Sequence, residues 1–151
     1  MKNLLGTNVI AQVAIIVEDI EKTSKAYADF FGVEKPEAVW TDGYDKAQTV
    51  YKGEPSQARA QLAFFDMGSL QLELIQPDEF PSTWRDFLEE HGEGVQHLAF
   101  VVDGLNEKVS EMESEGMPLI QKGEYDGGRY AYMDTVKDLK VVLELLENDK
   151  S

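Results

Sequence analysis

The chain of 151 residues contains no cysteine, so disulfide bonds, thiolate metal ligands and cysteine nucleophiles are all excluded. Basic residues are scarce: 14 Lys and Arg stand against 29 Asp and Glu, giving a formal net charge of -15. Affinity for nucleic acid and for anionic membranes comes mainly from clustered Lys and Arg, so we expect neither partner.

Long apolar runs are also missing. No stretch approaches the roughly 18 apolar residues of a membrane span, and the first residues, Met1-Lys-Asn-Leu-Leu-Gly6, lack the apolar region of a signal peptide. We therefore expect a cytoplasmic protein. The length favours a single domain over residues 1–151, because it is sufficient for one hydrophobic core.

The chain does contain two similar halves. The segment Gln12-Val-Ala-Ile-Ile-Val-Glu-Asp-Ile20 resembles His97-Leu-Ala-Phe-Val-Val-Asp-Gly-Leu105, and each reads as a strand leading into a helix that stops at a glycine, Gly32 or Gly116. Gln12 lies 20 residues before the first glycine and His97 lies 19 before the second. This agreement indicates an internal duplication.

The same patterns predict the other elements. Asp19 is expected to cap the first helix, with Ile20, Ala26, Tyr27, Phe30 and Phe31 as its apolar stripe. Leu105, Val109 and Met112 should face inward from a helix over about 104–115. Three strands should end each half, at about 47–52, 60–66 and 70–76 in the first and 119–124, 129–134 and 140–147 in the second.

These elements predict an α+β fold in which two βαβββ modules, about 8–77 and about 93–148, form one curved, partly closed mixed sheet. A helix over about 82–91 links them, and Thr83 with Asp86 gives it a capping-box pattern. The first half is longer within 33–60, and this aromatic-containing stretch is either a loop over a pocket or an ordinary surface excursion.

Four residues lie at matching points of the two halves: Gln12 and His97 begin strands, while Glu73 and Glu144 interrupt the apolar runs Leu72–Leu74 and Leu143–Leu145. A buried, ionised carboxylate needs a partner. The set of one amide, one imidazole and two carboxylates suits one divalent ion, Zn, Co, Ni, Mn or Fe. The alternative is structural: Arg59 or Arg129 pairs with each Glu, and His97 is a buried histidine satisfied by hydrogen bonds.

The chain resembles the vicinal oxygen chelate superfamily, which includes glyoxalase I, methylmalonyl-CoA epimerase, bleomycin-resistance proteins and extradiol dioxygenases. The resemblance rests on Gln12–Val17, Leu72–Pro77, Gly92–Phe100 and Val142–Leu145, and the run Ser82–His97 is most similar to the epimerases. It implies a glyoxalase-like fold and a homodimer, with Gln12, Glu73, His97 and Glu144 as metal ligands.

The sequence departs from the epimerase pattern at three positions. Gln12 stands where the epimerases have a histidine ligand, and the resulting ligand set is similar to that of zinc-type glyoxalase I. Gln96 replaces the first residue of a histidine pair, of which only His97 is kept. Gln61 falls where the resemblance implies a catalytic Glu, which leaves Glu73 and Glu144 as the candidate bases.

The resemblance implies a metal-dependent isomerase or epimerase that moves a proton next to a carbonyl through a metal-stabilised enediolate, with a thioester as possible substrate. One alternative is a glyoxalase I-like lactoylglutathione lyase acting on a hemithioacetal. Another is a metal-free binding or resistance protein. An extradiol dioxygenase is disfavoured because Gln12 breaks its two-His, one-Glu triad.

Residues outside the metal set are candidates for binding a small-molecule substrate. Arg129, Tyr130 and Tyr132 follow the Gly127-Gly128 turn, and Trp40 and Tyr44 lie in the long stretch, although structural roles are the commoner explanation for residues of these types. A CoA thioester would also need cations for its phosphates. The residues that could form such a patch are Lys46, Lys52, Arg59, Lys122 and Arg129. The other histidine, His91, is given no role.

Overall fold

The computed structural model describes residues 2–150, and within them one mixed sheet of ten strands forms a curled half-barrel. The strands are β1 (Gln12–Ile16), β2 (Val39–Trp40), β3 (Val50–Tyr51), β4 (Glu54–Pro55), β5 (Ala60–Asp66), β6 (Gln71–Pro77), β7 (Gly94–Val101), β8 (Leu119–Tyr125), β9 (Gly128–Met133) and β10 (Val142–Asn148). The helices are α1 (Ile20–Phe31), α2 (Tyr44–Ala47), α3 (Thr83–His91), α4 (Leu105–Ser114) and α5 (Val136–Leu139).

The order of the strands shows the duplication. The sheet runs β2-β5-β6-β1-β7-β10-β9-β8-β3-β4, so the two halves mirror each other about the central pair β1 and β7. That pair is antiparallel, and each of its strands has a parallel neighbour from its own half, β6 or β10. The prediction of two βαβββ modules in one curved mixed sheet is confirmed.

Both long helices enter the sheet in the same way. The backbone N–H of Ile20, which begins α1, donates to the Gln76 side chain at 2.8 Å, and the N–H of Leu105, which begins α4, donates to Glu147 at 3.3 Å. Gln76 and Glu147 occupy the same position in β6 and β10, three residues after Glu73 and Glu144. Each helix start is therefore fixed to its module's last strand, which satisfies backbone donors that a helix leaves free.

The helix predictions are partly correct. Asp19 caps α1, because its side chain accepts from the Lys22 backbone N–H at 3.2 Å. Gly32 ends the helix in the left-handed conformation at φ 66°. The inward residues predicted for α4, namely Leu105, Val109 and Met112, are all buried.

Two helix details are wrong. Ala26, Phe30 and Phe31 of α1 are exposed, because Ile20, Ser24 and Ala28, four residues apart, form the buried stripe. At α3 the capping residue is Ser82 rather than Thr83, because the Ser82 side chain accepts from the Arg85 backbone N–H at 2.9 Å while Thr83 is buried.

The predicted strand 47–52 is also wrong. Its first residue belongs to α2, and the only paired part, β3, lies against β8 of the second module. The first module's own edge strand is instead β2, which pairs with β5. Residues 41–49 therefore cross from one edge of the sheet to the other. The extra length of the first half therefore forms the connection that spans the open side of the half-barrel.

The two faces of the sheet have different partners. One face carries α1 over Ala63, Phe65 and Leu74 and α4 over Ala131, Met133 and Leu145. The opposite, concave face packs Ala14, Ile75 and Tyr132 against Trp84 of α3, and contains the candidate site. Of the helices in residues 2–150, none has both the length and the apolar character that crossing a membrane requires.

Candidate metal centre

Three of the four predicted ligands meet at the centre of the sheet. Glu73 on β6 and His97 on β7 both lie beside Ala14 of β1, and Glu144 on β10 lies beside Ala99 of β7. Side chains alternate between the faces of a strand, so this register points all three to the concave face. The small Ala14 and Ala99, both fully buried, leave room between them.

The three side chains present one atom each to a common point. His97 Nε2 lies 3.2 Å from Glu144 Oε1 and 3.6 Å from Glu73 Oε1, and the three groups can place ligand atoms within 4.8 Å of one another. These three atoms are buried, and among residues 2–150 none of them has a hydrogen-bond partner outside the set. Buried polar atoms are rarely left unpaired in native proteins. Three such atoms converging on one point fit a divalent cation of the Zn, Co, Ni, Mn or Fe range.

The group of Glu73, His97 and Glu144 contains two carboxylates and only one side chain that can carry a positive charge. Burial raises the pKa of Glu73, and Glu144 raises it further, against a lowering contribution from His97. For His97, burial alone would lower the pKa, but the two carboxylates outweigh burial and raise it to about 9. Without a metal, a proton on His97 therefore partly balances the two carboxylates. A divalent ion would replace that proton and balance both charges.

Gln12, the fourth predicted ligand, lies on the same face and lines the same cavity as Glu73 and Glu144. Its Nε2 donates to Oε1 of Gln71, its neighbour in the β1–β6 register, at 2.5 Å. This hydrogen bond leaves Gln12 Oε1, the atom that would bind a metal, free of the amide pair. Its role as a ligand stays a prediction.

The centre opens into a cavity of about 500 Å³. The walls come from three parts of the molecule: the concave strands, Trp84 of α3, and the crossing segment 41–49 through Thr41, Asp42, Ala47 and Thr49. Of the five candidate contacts, Trp40, Tyr130 and Tyr132 line the cavity, whereas Tyr44 and Arg129 do not. Burial raises the pKa values of Tyr130 and Tyr132 above the ordinary range, so both phenols remain protonated donors near neutral pH.

The structural alternative for the two carboxylates does not hold. Arg59 stacks on Trp40, with 5.2 Å from its guanidinium carbon to the ring centre, and donates to the Thr41 carbonyl at 2.9 Å. Arg129 pairs instead with Glu147 at 3.2 Å, with Glu124 at 3.9 Å and with Asp149. Neither arginine reaches the centre. The exposed His91 contacts Glu90 at 3.8 Å.

Gln61, the third departure from the epimerase pattern, lies on β5. Its neighbours in β5, Leu62 and Phe64, line the cavity, whereas Gln61 does not. Because side chains alternate along a strand, Gln61 faces the other side of the sheet. Gln61 is therefore not placed to act at the centre, and its correspondence with a catalytic Glu rests on the sequence resemblance alone.

The sequence also missed residues that shape the site. Gln96 contacts His97, Gln71 contacts Gln12, and the indole N–H of Trp84 donates to the Tyr132 hydroxyl at 3.0 Å. Gln96 and Gln71 had a usable signal, since one is adjacent to a predicted ligand and the other lies two residues before Glu73. Trp84 had none, because only the docking of α3 brings it to the concave face.

A sequence profile of the Glyoxalase/Bleomycin resistance protein/Dioxygenase superfamily matches residues 11–133. The chain belongs to this superfamily. One relative is YqjC, an uncharacterized protein of Bacillus subtilis (strain 168), which is 31% identical over 94 residues, covering 60% of this chain and 67% of YqjC.

Several solved structures have the same fold. The methylmalonyl-CoA epimerase of Mycobacterium tuberculosis superposes with a TM-score of 0.64 at 24% identity, covering 99% of this chain and 94% of the epimerase. The hypothetical protein BH1468 of Bacillus halodurans C-125 gives 0.63 at 20% identity, covering 94% and 95%. A Streptomyces coelicolor methylmalonyl-CoA epimerase, solved with 2-nitronate-propionyl-CoA, gives 0.61 at 21%, covering 93% and 97%. The superfamily assignment and the predicted glyoxalase-like fold are confirmed.

Proposed function

We propose that the protein is a metal-dependent isomerase or epimerase that moves a proton on the carbon next to a carbonyl, in the manner of the methylmalonyl-CoA epimerases. The observation that carries this proposal is the convergence of three unpartnered buried atoms, from Glu73, His97 and Glu144, beside a cavity of about 500 Å³. In a metal-free binding protein, burying these two carboxylates would cost desolvation free energy that no bound cation offsets.

The residues divide the chemistry among them. Glu73, His97 and Glu144, with Gln12 as the proposed fourth ligand, would hold the cation, which would supply Lewis-acid stabilisation of charge on the substrate oxygens. Glu73 and Glu144 both line the cavity and are the candidate bases. Burial raises the pKa of Glu73 in the metal-free protein, whereas a bound cation would hold that carboxyl ionised, so it would act as a base only once it detaches from the ion.

The cavity lining limits how a CoA thioester would bind. It includes four carboxylates, from Asp42, Glu73, Glu124 and Glu144, but within residues 2–150 no Lys or Arg side chain lines it. The CoA phosphates would therefore lie outside the cavity, where repulsion is weaker. A volume of about 500 Å³ suits the acyl group and thioester carbonyl, since pockets for small molecules span about 300–1,000 Å³.

A glyoxalase I-like lactoylglutathione lyase is the second candidate. Gln12 favours it, because the set of Gln12, Glu73, His97 and Glu144 is similar to that of zinc-type glyoxalase I and Gln12 lines the cavity. The chemistry at the protein's residues would be the same proton movement. The homodimer and the cytoplasmic location also remain predictions.

The test is proton exchange with solvent. The zinc-, cobalt-, nickel-, manganese- or iron-loaded protein would be incubated in deuterated water with methylmalonyl-CoA and related thioesters, and separately with a glutathione hemithioacetal. We expect deuterium at the carbon next to the carbonyl, and the substrate that exchanges decides between epimerase and lyase.

Two variants identify the base. Glu73→Gln and Glu144→Gln each keep an oxygen that can bind metal, so the base variant should lose about 10²–10⁴-fold in exchange rate while metal is retained. Glu115→Gln, at the exposed end of α4, is the matched control. Full activity in both cavity variants, or no exchange with any substrate, would favour the metal-free binding protein instead.

A further inference from the structure

The imidazole of His97 is held by a residue that the metal hypothesis does not use. Gln96, the preceding residue on β7, places its side-chain Oε1 3.0 Å from His97 Nδ1. Both residues are buried, with Gln96 3% and His97 0% exposed. The contact therefore lies in a dry interior, where a hydrogen bond is strong and its loss is costly.

The orientation of the Gln96 amide is fixed by a backbone carbonyl. Gln96 Nε2 donates to the carbonyl oxygen of Thr83 at 2.9 Å and also approaches the Thr83 hydroxyl at 3.3 Å. A carbonyl can only accept, so it requires the NH₂ group of Gln96 on its side. The amide oxygen must then face His97.

That orientation in turn fixes the proton of the imidazole ring. An amide oxygen can only accept, so His97 Nδ1 must carry the proton and donate. In the neutral ring the lone pair is then on Nε2, the atom that faces Glu73 and Glu144 without a partner. The Thr83 carbonyl thus determines, through Gln96, which nitrogen is available to a cation.

Thr83 is itself held in place. Its backbone N–H donates to Gln121 Oε1 at 2.9 Å, and Gln121 Nε2 donates to the Tyr130 hydroxyl at 3.0 Å. Gln121 is fully buried. The first residue of the linking helix α3 is therefore fixed to strands β8 and β9 of the second module, and α3 serves as a support for the imidazole as well as a connection between modules.

We propose that Gln96 is a positioning residue for the metal centre, which holds the His97 ring with Nδ1 protonated and Nε2 directed at the cation. This inference rests on the proposed metal site. Partners of this kind orient metal-binding histidines, and their loss lowers metal affinity about 10–100-fold. The connection from Gln96 to the start of α3 explains why a glutamine fits here: it must accept on one side and donate on the other.

The first test needs no metal. In the metal-free protein, the His97 Nδ1–H should give a slowly exchanging downfield proton signal, because it is present in the imidazolium and in the expected neutral form alike. The exposed His91 supplies the internal reference. Gln96→Met, which keeps the volume and removes the amide, should abolish the signal. Gln61→Leu, on the other face of β5, should keep it.

The second test measures zinc affinity. Gln96→Met should bind zinc about 10–100-fold more weakly than wild type. Gln96→Glu should lose less than Gln96→Met, because a carboxylate still accepts from Nδ1–H, although it cannot donate to the Thr83 carbonyl. A residue that only fills space would show the reverse order, since methionine would be tolerated and a buried charge would not. That order, or an unchanged proton signal in Gln96→Met, would overturn the inference. If wild type bound no divalent ion while the proton signal behaved as expected, the proposed function would fail instead.

Discussion

The two modules share one plan but contribute different things to the site. The second module supplies His97 and Glu144, whose Nε2 and Oε1 atoms are 3.2 Å apart, and the hydrogen bonds that hold the imidazole. The first supplies Glu73, whose Oε1 is 3.6 Å from the same nitrogen, and Gln12, a neutral amide. Both pairs of candidate ligands occupy matching strands, as a duplication predicts, whereas the residue types predict that the second module would bind a cation more strongly than the first.

The modules differ also at their edges. The second module has β8, a strand of seven residues, where the first has only the two residues of β2 in the matching place. After the short β2, the first module continues as the segment 41–49, which leads to β3, and β3 pairs with β8 of the second module. The second module therefore contributes His97 and Glu144 to the candidate centre, and the first contributes the segment that covers the cavity.

The unequal ligands give the prediction with the largest effect. His97→Ala should lower zinc affinity by more than about 100-fold, since even the loss of a partner behind a ligand costs about 10–100-fold and imidazole binds these metals more strongly than an amide. Gln12→Ala should lower it by about tenfold or less. Competition with a chelator of known affinity would measure both.

Equal losses of zinc affinity in His97→Ala and Gln12→Ala would contradict the prediction that the second module binds the cation more strongly. His91→Ala, at the exposed end of α3, controls for the loss of any histidine.

The next prediction uses the proton on His97. Its pKa of about 9 in the metal-free protein lies above the ordinary 6.5, so the stability that this proton contributes is complete below pH 6.5 and is lost as the pH rises through about 9. Metal must displace the proton, so metal affinity should rise by up to about tenfold per pH unit between these values.

Calorimetry in buffers of different ionisation enthalpy should find about one proton released per metal ion near pH 7.5. The release should persist in Gln12→Ala, because the proton belongs to the second module. Release of no proton in wild type would show that His97 is already neutral.

Much of the fold followed from the sequence because its signals are local. Asp19 before an apolar stripe and Gly32 after it define α1 at both ends, and the carboxylates in otherwise apolar strands marked β6 and β10. The meeting of Glu73, His97 and Glu144 followed from the repeat, since equivalent residues of two related modules converge on the axis between them.

The errors concern features that only tertiary contacts decide. The residues around Val50 have strand character, but which edge they join depends on the curvature of the whole sheet. Phe30 and Phe31 look like core residues, yet the face of α1 that carries Ser24 and Ala28 is the buried one. Gln96 and Thr83 meet because α3 packs on the concave face, and no spacing in the sequence records that contact.

The smallest effect is expected at the crossing segment, which should leave metal affinity unchanged but control access to the cavity. Its ends are fixed, by the Thr41 N–H to the Ala60 carbonyl at 2.9 Å and the Lys52 N–H to the Ile120 carbonyl at 2.8 Å, while its middle holds only the single turn of α2. We therefore expect amides 42–48 to exchange with deuterated water faster than those of β6 and β10, because short elements with few buried contacts open at low cost. A bound substrate should slow them. If they exchange as slowly as the strands carrying Glu73 and Glu144, the segment is a fixed wall of the cavity, and the first module contributes structure there rather than a gate.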